Sequence, residues 1–173
     1  AECPPTFQSD PDLIIALIAG GDSALRKSSE AAEDDLEGAT YVLRELNLNA
    51  KDTVVGIAAG GTTPWVIGGL HFSKEQGAMT CLLTCADVDS GFDHSIVLKT
   101  GAEPLTGSTR LKAGTATKLT LNIITTTLFT KLGKVYGNMM VDLRATNNKL
   151  RDRAIRIVCD VCELDRDAAA DLL

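Results

Sequence analysis

Aromatic residues are scarce. They make up 4% of the 173 residues, with one Trp, two Tyr and four Phe, so a surface that stacks successive nucleobases is not expected. Cations are outnumbered as well: 17 Lys and Arg face 23 Asp and Glu, a formal net charge of -6, which repels phosphate backbones in general. Nucleic acid is therefore not an expected partner. No apolar run approaches the roughly 18 residues a membrane span requires. The opening AECPPTF has neither a basic stretch nor an apolar signal core, so no membrane partner is expected. The chain also starts without Met and is expected to be processed or to be a piece of a longer protein. The hydrolase pattern GxSxG, the zinc pattern HExxH and a Walker-type GKS or GKT are all missing. Of the two histidines, His71 and His94, neither has a nucleophile or metal partner at a telling spacing.

What is present suits one globular domain with a short appendage: 45% hydrophobic and 23% charged residues. The five cysteines are odd in number and scattered, as expected for a reducing, cytoplasmic setting. Cys159 and Cys162 form a CxxC, but their apolar neighbours recur at helical spacing and no second Cys or His pair lies near. Buried helix thiols are favoured there over zinc or redox use. Cys81 and Cys85 flank CLLTC, which suits a buried strand and its end.

Residues 12–19, an Asp and then the apolar LIIALIA, run into Gly20, the pattern of a strand buried on both faces. A polar helical stretch comes next, from about Ser23 to Leu46. A second strand is expected over 53–59, then GGTTP and a helix that begins near Pro64 and stops at Gly77. Further strands are expected over 79–85 and 95–100. Alternation of this kind predicts an α/β fold, a parallel sheet flanked by helices. Ligands of such sheets sit at the carboxyl ends of the strands, which directs attention to Gly20–Ser23 and Gly60–Thr63. Beyond Gly101 the character turns helical. One long, Thr-rich helix is expected over about 108–132, largely buried, with helices over 138–146 and 148–162 and a last one capped by Asp165.

Three groups of residues suit chemistry. Gly60, Gly61, Thr62 and Thr63 stand after a strand and at a helix start, where free N–H groups attract phosphate or sugar hydroxyls; a tight turn with a Thr cap is the plainer reading. Thr106, Ser108, Thr109, Arg110, Lys112 and Thr115 crowd hydroxyls and cations where a loop enters the long helix, again a setting for an anion, or ordinary capping with surface charges. The acidic run SSEAAEDDLEG carries Glu30 and Glu33 at i,i+3 spacing on one helical face. A carboxylate turned into a cleft beside like charges gains the raised pKa that proton transfer uses; a solvated face is the alternative. Glu2 precedes Cys3-Pro4-Pro5, a stiff extended segment that fixes a carboxylate in place, unless the terminus frays.

Taken together, AECPPTF (1–7), LIAGGDSAL (17–25), SEAAEDD (29–35), VVGIAAGGTTPWVIGGL (54–70), GAEPLTGSTRLKAGTATK (101–118) and LGKVYGNMMVDLRATNNKLRDRAIRIV (132–158) resemble the N-acetylmuramic acid 6-phosphate etherases. These are sugar-phosphate enzymes of the SIS (sugar isomerase) fold, related to the glucokinase regulatory protein. The resemblance implies cleavage of the C3 lactyl ether by elimination and then hydration, giving N-acetylglucosamine 6-phosphate and D-lactate in peptidoglycan recycling. It implies two catalytic glutamates, Glu2 as proton donor to the lactate and Glu33 as the second acid/base group. It also implies no metal or redox cofactor, and a homodimer. Glu30, Gly60, Gly61, Thr62, Thr63, Thr106, Ser108, Thr109, Arg110 and Lys112 are the expected substrate contacts.

The chain departs from the family pattern at Gly60 and Thr62, where a Ser and an Arg are usual, and at Ala31-Ala32, which leaves Glu33 in place. The family's first strand and its phosphate loop are expected before residue 1, and most of its small helical domain after Leu173. The expected division is a SIS-like domain over 1–137 and a helical segment over 138–173. A non-catalytic sugar-phosphate sensor of the glucokinase regulatory protein type is the alternative function.

Overall fold

The computed structural model describes residues 2–173, the side chain of Glu30 excepted. In chain order the elements are α1 (Cys3–Phe7), α2 (Gly38–Glu45), β1 (Thr53–Ile57), α3 (Pro64–Glu75), β2 (Met79–Thr84), β3 (His94–Val97), α4 (Lys112–Lys131), α5 (Asn148–Cys162) and α6 (Arg166–Asp171). Short 3-10 turns occupy Pro11–Leu13, Gly21–Leu25 and Glu30–Asp34. The three strands form one parallel sheet in the order β1-β2-β3. The α/β class is as expected, with α5 and α6 as the helical C-terminal segment. The chain divides into two compact units, residues 17–120 and residues 1–16 with 121–173; α4 contributes its first part to one and its second part to the other.

In the sheet unit the central strand β2 carries the core. Leu82 and Leu83 are fully buried, and so are Thr80 and Thr84 at either end of the strand. Glycines let the neighbours approach closely. A Cβ at Gly56 of β1 would fall 2.6 Å from Leu70 of α3, and one at Gly68 of α3 would fall 1.9 Å from the carbonyl oxygen of Leu36. Helix α3 therefore lies tight against both the sheet and the segment leading into α2. Parallel strands usually need a long crossover, yet only residues 85–93 connect β2 to β3. Polar clamps hold that short return. The Asp93 carboxylate accepts from the Thr80 N–H (2.8 Å) and hydroxyl (2.7 Å), and Lys74 Nζ donates to the Gly91 carbonyl (2.8 Å). Those two Thr80 hydrogen bonds, with Lys74 nearby, hold the Asp93 carboxyl below the usual carboxylate range.

In the other unit Phe7 stacks on Phe129 with ring centroids 4.4 Å apart, both rings buried. The Asn147 and Asp165 side chains cap α5 and α6 by accepting from the Leu150 and Ala168 N–H groups, each at 2.9 Å. An Arg166–Asp152 ion pair ties α6 to α5.

Several expectations need correction. Residues 12–19 form no strand. Asp10 caps a turn at Pro11–Leu13 by accepting from the Asp12 N–H, Gly20 and Gly21 turn the chain again with φ of +83° and +67°, and Leu13, Ile14, Ile15 and Ile18 lie exposed between them. An apolar run specifies a wish for burial; a strand also needs a ladder partner, and the run alone does not provide one. The helix expected over 23–46 shrinks to α2, because the acidic run folds into 3-10 turns instead. Residues 138–146 are not helical: Gly137, at φ +60°, permits a tight bridge between Tyr136 and Met139, and Lys134 draws back Asp142 at 2.5 Å.

Helix α4 is present but not largely buried, since Leu119 and Ile123 are each more than half exposed. Its threonines are accommodated internally. The Thr120, Thr125 and Thr130 hydroxyls donate to the Ala116, Leu121 and Thr126 carbonyls one turn back, at 2.8–2.9 Å. The CxxC sits on the last turn of α5 as expected, but Cys162 is exposed and Cys159 only half-buried. Cys81 is buried in β2, and that burial pushes its thiol pKa up.

Candidate functional site

Because all three strands are parallel, their carboxyl ends share one edge of the sheet. The ladder continues past the strands there. The Ala58 N–H donates to the Leu83 carbonyl at 3.1 Å, the Cys85 N–H to Ala59 at 2.9 Å and the Leu98 N–H to Thr84 at 2.8 Å. Of the loops that start from this edge, residues 58–63 come after β1 and residues 98–111 after β3. The sequence-predicted groups Gly60–Thr63 and Thr106–Lys112 lie on these two loops, where a sheet of this type holds its ligands.

The first loop is shaped by its glycines. Gly61 has φ +75°, and a Cβ there would fall 2.7 Å from Val88 and 3.0 Å from the Thr84 hydroxyl. Both backbone and space demand glycine at that point. A Cβ at Gly60 would meet only the Thr62 hydroxyl, 3.9 Å away. The buried Thr84 hydroxyl braces the turn by donating to the Ala59 carbonyl (3.2 Å) and accepting from the Ala86 N–H (3.1 Å). Thr63 stands at the N-cap of α3 and makes no side-chain cap bond, so the plainer reading of GGTTP as a Thr-capped helix does not hold. The Val66 and Ile67 N–H groups are satisfied by the Thr63 backbone carbonyl instead.

Glu33 lies on the 3-10 turn Glu30–Asp34 and is exposed. Residues 35–37 and Gly38, the first residue of α2, anchor it. The Asp35 carboxylate accepts from the Glu37 N–H at 3.0 Å, Gly38 lies against the Trp65 indole, and Leu36 lies against Gly68. The Glu33 turn is thus seated on α3, the helix that begins where Gly60–Thr63 ends. The side chain of Glu30 lies outside the described residues. Glu2, exposed, precedes α1 as its N-cap residue without a side-chain cap bond. It belongs to the other unit, where the Arg144 N–H donates to the Pro5 carbonyl at 3.4 Å.

The second loop holds a residue that sequence reasoning missed. Glu103 reaches over the loop to the start of α4. Its Oε2 accepts from the Lys112 N–H and its Oε1 from the Ala113 N–H, both at 2.9 Å. The Ala113 N–H first, then the Lys112 N–H and ammonium, hold the Glu103 carboxyl below its usual range against the opposing effect of desolvation. The anion expected at this helix start is thus a carboxylate of the chain itself. Its only sequence signal is an acid ahead of a hydroxyl-rich helix entry, at a separation no local capping rule covers. Thr106, Thr109, Arg110 and Lys112 are exposed and Ser108 is half-buried. An open groove lined by Arg110, Leu111, Lys112, Thr115, Ala116 and Leu119 runs along the first turns of α4. Gly20–Ser23, the third loop singled out by sequence, is not preceded by a strand; the Ser23 hydroxyl there donates to the Gly20 carbonyl at 2.9 Å.

Among the described residues no three His, Cys, Asp or Glu side chains gather as a metal-binding group, and no helix is long and apolar enough to cross a membrane. His71 lies against Phe92, with ring centroids 5.1 Å apart.

Comparison with known proteins agrees with the resemblance in the sequence. The family model described as the glucokinase regulatory protein N-terminal SIS domain matches residues 5–74. Over its whole length the chain is similar to proteins named N-acetylmuramic acid 6-phosphate etherase. It is 52% identical to those of Prochlorococcus marinus (strain MIT 9303), Thermosynechococcus vestitus and Nostoc sp. (strain PCC 7120). The match covers 56% of the first protein and 57% of each of the other two, so the chain spans little more than half the length of these relatives.

Proposed function

We propose that the protein carrying this chain is an N-acetylmuramic acid 6-phosphate etherase, a carbon–oxygen lyase that releases D-lactate and N-acetylglucosamine 6-phosphate in cell-wall recycling. The single observation that carries the reading is the seating of the Glu33 turn on α3, beside the Gly60–Thr63 loop at the carboxyl edge of a parallel sheet. A carboxylate-bearing turn packed on the helix that follows a hydroxyl-bearing loop suits proton transfer on a sugar phosphate. Similarity at 52% identity over the whole chain supports the same reading.

In this scheme a base removes the C2 proton of the open-chain sugar, made acidic by the C1 aldehyde, and an acid protonates the departing lactyl oxygen. Water then adds to the unsaturated product at C3. Glu2 is the proton donor to lactate and Glu33 the second acid/base group. Two carboxylates divide acid from base work when their surroundings separate their pKa values. Gly60, Gly61, Thr62 and Thr63 offer backbone N–H groups and hydroxyls to the sugar phosphate. Thr106, Ser108, Thr109, Arg110 and Lys112 offer hydroxyls and positive charge, and Glu30 completes the contacts. A cytoplasmic homodimer, divided into a SIS-like domain over 1–137 and a helical segment over 138–173, belongs to the same reading.

Lactate release from N-acetylmuramic acid 6-phosphate tests it, using the protein at its natural length. Glu33→Gln and Glu2→Gln are each expected to lower kcat/KM by about 10²–10⁴-fold with folding intact. A wild type that binds the sugar phosphate and releases no lactate would instead be a sugar-phosphate sensor.

A further inference from the structure

We propose that Glu103 is a positioning residue: by gripping the start of α4 it holds the Thr106–Arg110 loop in the one arrangement that receives the sugar phosphate. The proposal rests on the sugar-phosphate reading above and adds a residue which that reading does not use.

The loop has little else to hold it. Leu105 is 63% exposed, and Thr106, Gly107, Thr109 and Arg110 are exposed as well. Its own hydrogen bonds are short-range. The Ser108 N–H donates to Leu105, the Thr109 N–H to Gly107 and the Leu111 N–H to Ser108, at 3.0–3.3 Å. Each of these closes a single turn. The Gly114 N–H also ties the loop to the helix, donating to the Thr109 carbonyl at 2.8 Å. Among the described residues Glu103 makes the longest span, with separate oxygens on donors nine and ten residues further along. A two-point grip by a charged acceptor fixes orientation as well as distance. It also satisfies two of the four N–H groups that a helix start leaves without partners. Lys112 adds to the closure, since its ammonium lies near Gly101, where a Cβ would stand 3.8 Å away.

The grip affects the ligand in two ways. The α4 amides are already engaged, so the sugar phosphate meets the loop's hydroxyls and Arg110 rather than the helix end. Without the grip, binding must first order the loop, and that cost weakens affinity while leaving the reacting groups alone.

The test uses the protein at its natural length, comparing wild type with Glu103→Ala and Glu103→Gln. Four quantities are read: KM and kcat for lactate release, Kd for N-acetylglucosamine 6-phosphate by calorimetry, and the thermal midpoint. In Glu103→Ala, KM and Kd are expected to rise together, by about 10- to 100-fold, with kcat within about threefold of wild type. Glu103→Gln, which keeps its length and one acceptor oxygen, is expected to fall between the two. A folded Glu103→Ala protein whose KM and Kd both stay within about twofold of wild type overturns the proposal. So does a fall in kcat at unchanged KM and Kd, which would make Glu103 a group acting on the reacting atoms. If Glu103→Ala fails to fold, Glu103→Gln decides, and unchanged KM and Kd there overturn the proposal equally. A wild type that binds the sugar phosphate without releasing lactate defeats the etherase reading alone, and the Kd comparison still judges Glu103. A wild type that binds no sugar phosphate defeats both.

Discussion

Two helices come after strands of the same sheet, and their first turns are built in opposite ways. The start of α3 is placed by close apolar packing: Gly61 under Val88, Trp65 against Gly38, Gly68 against Leu36. Its N-cap side chain, Thr63, makes no cap bond. The start of α4 is placed by charge, through the Glu103 carboxylate on the Lys112 and Ala113 N–H groups, with exposed residues around it. Packing gives a rigid frame in which the Thr63 backbone carbonyl takes up the Val66 and Ile67 N–H groups. A charged grip gives definite geometry to a loop with almost no core, and uses the helix end to do so.

The comparison breaks most sharply at Gly68. Gly68→Ala places a methyl group 1.9 Å from the Leu36 carbonyl oxygen. It is expected to cost about 3 kcal/mol and to loosen the Glu33 turn. Chemical denaturation and tryptophan fluorescence of Trp65 check this. Gly61→Ala comes next. A positive φ and the contact with Val88 together predict a loss of about 1–3 kcal/mol, read from the same denaturation curves.

Acid sharpens the contrast without any substitution. The folded pKa of Glu103 is depressed, so its contribution to stability is fully present above the unfolded value of about 4.3. It is lost as pH falls through the lower folded value. Below about pH 4 the Lys112 and Ala113 amide resonances are therefore expected to shift and exchange faster, while Val66 and Ile67 in α3 hold still. Asp93 and Asp152 also have depressed pKa values, so a global acid melt mixes all three; residue-resolved amide spectra separate them. The smallest effect belongs to Thr63→Ala, expected to change stability by less than about 0.5 kcal/mol because no cap bond is lost. Asn147→Ala, which removes a real cap, is expected to cost about 1 kcal/mol.

Much of the sheet unit is legible in the sequence because its signals are local. The buried runs at 53–59 and 79–85 predict β1 and β2 to within a residue or two, Pro64 and Gly77 bound α3, and Asp165 caps α6. The run at 12–19 misleads because its apolar residues carry no information about a pairing partner, and in the structure they line an exposed connection. Helix α4 is legible, but its exposure is not: its Thr hydroxyls find acceptors on carbonyls one turn back, so they need no partner from packing. At the candidate site the loops announce themselves as Gly and Thr clusters, and their shared edge comes from the parallel register. Glu103 gives no such sign, since its grip joins residues nine and ten positions apart, beyond the reach of any capping motif.

The Glu103 grip also bears on inhibitor chemistry. An analogue carrying a second acidic group toward the long helix would confront a fixed carboxylate whose favourable amide partners are already taken. Neutral hydroxyl or amide substituents aimed at the first turn of α4 would avoid that repulsion.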